Sequence, residues 1–128
     1  MGPVAGKVSR FEIAATDMER ARDFYSGLFG WPVQGDPGVY LWIPAGEGGG
    51  APGGILPAPP ETGPYATFGV EVDDVDAAHD RAVELGATTV VPPTDNPGGV
   101  RSAYLRDPDG SLFSVYRFRA RDSAAGPA

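Results

Sequence analysis

Phe68-Gly-Val-Glu-Val-Asp-Asp-Val-Asp-Ala-Ala-His-Asp-Arg-Ala-Val-Glu-Leu-Gly86 reads as a strand, a capped turn and an amphipathic helix that stops at a glycine. Alternation puts Phe68, Val70 and Val72 on one side of an extended segment. Asp73 or Asp74 offers carboxylate oxygens to the free amides of a helix start. The helix is expected over roughly Val75 to Leu85, with Gly86 as its left-handed stop. The chain has already carried this pattern once. Shifted back by 57 positions, Phe68, Val70, Val72, Asp74, Val75, Ala78, Ala82 and Leu85 fall on Phe11, Ile13, Ala15, Asp17, Met18, Ala21, Tyr25 and Leu28. The apolar face and the aspartate cap both recur, so the chain is built from two like halves.

Working outward, Lys7 to Ala15 alternates as a strand, and Thr16-Asp17 caps a helix expected over Met18 to Phe29, ended by Gly30. Met18, Ala21, Tyr25 and Leu28 form its apolar stripe, with Phe24 beside them. Trp31 and Val33 begin a short strand, Gly35-Asp-Pro-Gly38 turns it, and Val39 to Ile43 returns. Residues 44–64 hold six prolines and seven glycines, which excludes a helix. Only Gly53 to Leu56 has strand character there, and the remainder reads as a loop. In the second half, Thr88 to Val91 is strand-like and Pro92 to Gly99 is a turn. Arg101 to Arg106 and Ser111 to Phe118 flank Asp107-Pro-Asp-Gly110, a strong hairpin signal. The tail from residue 119 is expected to fray. The fold class is therefore α+β. One domain, 1–128, holds two βαβββ modules at about 7–58 and 65–118, forming a curved mixed sheet around a central cleft with the helices on its outer face.

Composition narrows the function classes. Seventeen acids against ten bases give a net charge of −7, which argues against nucleic acid as a partner. An acidic surface favours cationic ligands. The chain has no cysteine, so neither disulfides nor thiolate chemistry contribute. Neither a signal-peptide core nor a membrane-length apolar run is present, so a cytoplasmic protein with no membrane partner is expected. The single histidine, His79, is expected on the solvent side of the second helix. No serine elbow appears, and Gly48-Gly-Gly50 lacks the lysine and helix of a phosphate loop.

Phe11 to Trp31, Phe68 to Gly86 and Tyr104-Leu-Arg-Asp-Pro-Asp-Gly-Ser-Leu-Phe113 together resemble the vicinal oxygen chelate superfamily. That group contains glyoxalase I, extradiol dioxygenases, fosfomycin-resistance enzymes and bleomycin-resistance proteins. The resemblance implies paired βαβββ units around a cavity, frequent dimers, and a divalent metal held by His, Glu or Gln on the first and last strands of each half. Carried onto this chain, those positions are Arg10, a residue near Gly54, Thr67 and Ser114. A guanidinium cannot coordinate a metal, the two hydroxyls are weak ligands, and glycine has no side chain. No metal and no cofactor are therefore expected.

Strand alternation places Arg10, Glu12, Thr67, Glu71, Tyr104, Ser114 and Tyr116 on the cleft side. With Trp42, these are the candidate ligand-binding residues. Trp31, Tyr40, Trp42, Tyr104 and Tyr116 are candidate aromatic walls. Arg10 and Glu12 share a face, either as an ion pair filling the vacated metal position or as an anchor for a polar or anionic ligand group. Glu71 could serve as a base only with a positioned substrate. The leading expectation is a metal-independent small-molecule binding or sequestration protein, acting as a homodimer, with a cationic natural product as one ligand. The alternatives are a lyase, isomerase or dioxygenase-like enzyme with a non-standard site, or an interaction module with a vestigial cleft.

Overall fold

Each half of the sequence repeat folds around its own helix. A computed structural model of the chain describes residues 2–46 and 50–118. Ten elements follow in order: β1 (Gly6–Ala15), α1 (Met18–Phe29), β2 (Gln34–Asp36), β3 (Tyr40–Ile43), β4 (Gly53–Pro57), β5 (Tyr65–Val72), α2 (Val75–Glu84), β6 (Thr88–Asn96), β7 (Val100–Arg106) and β8 (Leu112–Phe118). The architecture is α+β, with two βαβββ modules as expected. The chain divides into two compact units, one from Ser9 to Phe68 and the other comprising the residues before Ser9 and those from Gly69 onward. The expected frayed tail lies outside the described residues. No helix among them is long and apolar enough to cross a membrane.

In the first unit the strands run β2-β3-β4-β1. β1 and β4 are parallel, with Phe11 opposite Gly53, Glu12 opposite Gly54 and Ile13 opposite Ile55. β3 is antiparallel to both β2 and β4. Helix α1 begins where Asp17 accepts the Arg20 amide at 3.0 Å, and it ends at Gly30 with φ 72°. Met18 of the helix is buried with Leu41, Ile43 and Ile55, and Phe11, Ile13, Ala21, Tyr25 and Trp31 pack against them. Leu28 departs from the expected stripe: it is 59 % exposed, and Phe24 is 58 % exposed.

Trp31 and Val33 also depart from expectation. They precede β2 and pack into the α1-side core, so the strand starts at Gln34. Trp31 lies against Phe11, Tyr25 and Phe29, with centroids 5.5, 5.7 and 4.9 Å away. It is therefore core and does not share the Trp42 face.

In the second unit the order is β5-β8-β7-β6. β5 and β8 are parallel, and β7 is antiparallel to β6 and to β8. Asp74 is the cap of α2, accepting the Ala77 amide at 3.0 Å. Val72, Val75, Ala78, Ala103, Leu105 and Val115 are buried together. The Asp107 carboxylate accepts the amides of Asp109 and Ser111, each at 2.9 Å, and Gly110 takes φ 98°, which closes the expected hairpin.

β6 is longer than expected. It continues through Pro92-Pro93 to Asn96, a stretch that composition assigns to a turn. The register shifts between Thr89 and Val91 and again between Val91 and Thr94. β6 ends the strand order, and prolines are tolerated at bulges on an edge strand where no outer ladder bond is needed. The true turn is Pro97-Gly98-Gly99, with both glycines at positive φ.

Candidate functional site

A buried polar constellation lies on the first unit's sheet, on the face away from α1. It starts from a pair of adjacent glycines. Gly53 and Gly54 point to opposite faces of β4, and both are buried. A Cβ on Gly53 would meet the Phe11 ring at 2.4 Å, and one on Gly54 would meet the Tyr40 hydroxyl at 1.8 Å. Each glycine thus lets an aromatic ring lie flat on the strand, Phe11 on the core face and Tyr40 on the other. Glycine in a strand interior commonly marks such close approach.

From β3, the Tyr40 side chain reaches across Gly54 to β1. Its hydroxyl donates to Glu12 Oε2 at 3.1 Å and accepts a short hydrogen bond from Arg10 Nη2. Arg10 Nη2 also lies 3.4 Å from Glu12 Oε2, with the two side chains only 11 % and 8 % exposed. The Arg10 guanidinium carbon sits 5.8 Å from the Tyr40 ring centre. Three side chains from two strands therefore satisfy one another where water is largely excluded. Trp42, two residues past Tyr40, shares this face and is half-buried.

Burial, reinforced by the Glu12 carboxylate, pushes the Tyr40 phenol well above its ordinary range. Tyr65 is pushed up to about 12, again by burial first and the Glu12 charge second. Both phenols stay protonated and can donate at any physiological pH. A raised phenol pKa contributes stability that is complete below about pH 10 and is lost as pH rises through the folded value. In an ultraviolet titration of phenolate, Tyr65→Phe is expected to remove a step near pH 12. Loss of a step near pH 10 instead would place Tyr65 in water.

The other candidates fall as follows. Thr67 is half-buried on β5 in the first unit. In the second unit, Ser114 pairs with Gly69 on one side and Tyr104 on the other, and Tyr116 pairs with Glu71 and with Ser102. Glu71, Tyr104, Ser114 and Tyr116 consequently share the face opposite α2, with Ser114 and Tyr116 buried at 3 % and 5 % exposure. Tyr40 enters the network although alternation marks it only as an aromatic wall, and Tyr65 carried no signal beyond its position opening β5. His79 does not face solvent as expected. Its side chain is 15 % exposed, with Nε2 2.8 Å from Thr89 Oγ1 and Nδ1 3.0 Å from Asp80, joining α2 to β6.

A family model described as Glyoxalase/Bleomycin resistance protein/Dioxygenase superfamily matches residues 7–115. The chain belongs to this superfamily. A putative glyoxylase, CFP32 of Mycobacterium tuberculosis, is 33 % identical over 114 residues, covering 83 % of this chain and 43 % of that protein. The anthracycline biosynthesis protein DnrV of Streptomyces peucetius is 27 % identical over 129 residues, covering 88 % of this chain and 47 % of its own. The chain thus spans less than half the length of these relatives. Among solved structures, methylmalonyl-CoA epimerase of Streptomyces coelicolor superposes with a TM-score of 0.63 at 18 % identity, over 92 % of this chain and 97 % of that one. A hypothetical protein, BH1468 of Bacillus halodurans, gives 0.66 at 18 % identity, over 90 % and 96 %. At these identities the likeness speaks for the fold alone.

Within this superfamily the residues at the metal positions can be tested for fit. Arg10 places a permanent cation where the first ligand stands, and its hydrogen bonds engage Glu12, the nearest carboxylate. The Tyr40 ring covers Gly54, the second position. Among the described residues, no three His, Cys, Asp or Glu side chains stand together as a metal site requires. The donor set does not fit the superfamily's usual ion.

Proposed function

We propose that this superfamily member binds a small molecule without a metal, in the manner of the bleomycin-resistance proteins. One observation carries the reading: Arg10, Tyr40 and Glu12 bond one another in a buried network at the place the resemblance gives to a metal ligand. The guanidinium offers donors in a planar fork, the carboxylate offers acceptors, and Trp42 adds a half-buried ring beside them. A ligand with a polar head and an apolar body matches that combination. Glu71, Tyr104, Ser114 and Tyr116 are further candidate contacts, on the second unit's polar face, and Thr67 is another on β5. An enzyme using Glu12 as its base would first have to free an oxygen that Tyr40 and Arg10 already hold.

Two measurements test this. Protein purified without chelator is expected to carry no stoichiometric zinc, nickel, iron or manganese by elemental analysis, and a bound equivalent of any of them overturns the proposal. Calorimetric titration with a cationic glycopeptide antibiotic of the bleomycin type is expected to give saturable heat, reduced about tenfold in affinity by Trp42→Ala. Absence of heat at tens of micromolar would eliminate that ligand class. The acting species is proposed to be a cytoplasmic homodimer. Sedimentation as a monomer at micromolar concentration would contradict the dimer.

A further inference from the structure

The second unit holds a cavity of about 450 Å³ that includes none of the candidate ligand-binding residues. It lies on the α2 side of the sheet, opposite the face of Ser114 and Tyr116. Gly6, Val70, Ala82, Leu85 and Phe113 line it, with Arg81 in its wall.

The repeat explains why the space is there. In the first unit, Tyr25 of α1 stacks on Trp31 at 5.7 Å with their planes 7° apart, and both rings pack onto the buried aliphatic core. Ala82 stands fifty-seven residues after Tyr25, and Ala87 follows the helix-ending Gly86 as Trp31 follows Gly30. Two methyl groups stand where the sister module has a phenol and an indole. The surrounding strands and helix cannot collapse to take up the difference, because Val72, Val75, Ala78, Leu105 and Val115 fix their spacing. Water gains little in such a site, since the lining offers few polar partners.

We propose that this cavity is a binding site for a small aromatic carboxylate. The ring would occupy the volume that Tyr25 and Trp31 fill in the first unit, and the carboxylate would lie on the Arg81 guanidinium. Arg81 pairs with Glu84 at 3.1 Å, but the Glu84 side chain is 57 % exposed. A solvent-facing pair of this kind is weak, so a ligand carboxylate can share the same fork. The volume lies within the range of known small-molecule sites, and an apolar wall with one charged group is their usual composition.

The probe is indole-3-propionate, titrated into the full chain and followed by calorimetry and by amide chemical shifts. The expected result is saturable one-to-one binding, with shifts concentrated at Val70, Ala82 and Leu85. Arg81→Gln is expected to weaken it about tenfold. The uncharged 3-methylindole is expected to bind the natural protein and Arg81→Gln equally. Ala82→Tyr, which restores the sister module's ring, is expected to abolish binding and raise Tm. Ala82→Leu is a milder fill should the tyrosine prevent folding, and it is expected to weaken binding strongly. No saturable binding at millimolar probe overturns the proposal, as does undiminished binding in Ala82→Leu. Undiminished binding in Arg81→Gln overturns the carboxylate assignment.

Discussion

Arg10→Met is expected to destabilise the protein by about 3–5 kcal/mol in urea unfolding, more than its loss of contact area explains. Glu12 stays behind with its side chain 8 % exposed and without the guanidinium 3.4 Å away. A buried carboxylate that loses its counter-charge retains the desolvation cost without the attraction that offset it. The double variant Arg10→Met/Glu12→Leu is expected to regain part of the loss, because the uncompensated buried charge is gone while the Tyr40 hydroxyl loses both of these partners. Additive losses in the double variant would show that the two side chains are not energetically coupled. The same cycle bears on function. A stable double variant that no longer binds ligand separates the network's role in recognition from its role in folding.

Gly54→Ala is expected to cost about 3 kcal/mol, a large effect for a single methyl. The added carbon would stand 1.8 Å from the Tyr40 hydroxyl and 2.1 Å from its Cζ, with Glu12 and Arg10 holding that hydroxyl in place. The ring must leave the strand surface, and its hydrogen bonds leave with it. Tyr40→Ala in the Gly54→Ala background removes the clash, so the two changes together are expected to cost less than their sum. If Gly54→Ala folds with natural stability and Tyr40 keeps its raised titration, the ring does not lie on β4. The comparison also separates steric from conformational causes, since β4 places no positive φ at Gly54.

Much of the fold was legible because short-range chemistry wrote it. Asp17 and Asp74 cap their helices, Gly30 and Gly110 take positive φ, and the period-two pattern of β1 and β5 assigns faces that the pairing register bears out. Two local readings failed for reasons outside their own residues. Pro92-Pro93 looks like a turn until β6 proves to be an edge strand whose bulges need no outer partner. Trp31 looks like a strand residue facing a pocket until Tyr25 and Phe29 of α1 fold over it. Within the stretch read as a loop, residues 47–49 lie outside the described residues.

The candidate site divides the same way. Alternation alone puts Arg10 and Glu12 on one face, and the superfamily resemblance sets Arg10, a residue near Gly54, Thr67 and Ser114 at its metal positions. What no single strand contains is the third member. Tyr40 lies 28 residues beyond Glu12 in the chain and meets it only because β4 stands between β3 and β1 with a glycine at the crossing point. The repeat and the caps are properties of neighbours along the chain, and the sequence determines them by itself. The phenol laid over Gly54, and the cavity where Ala82 replaces a ring, depend on which side chains are brought together across strands. Only tertiary packing decides that, because a hydrogen bond or a void is set by distances that local conformation does not specify.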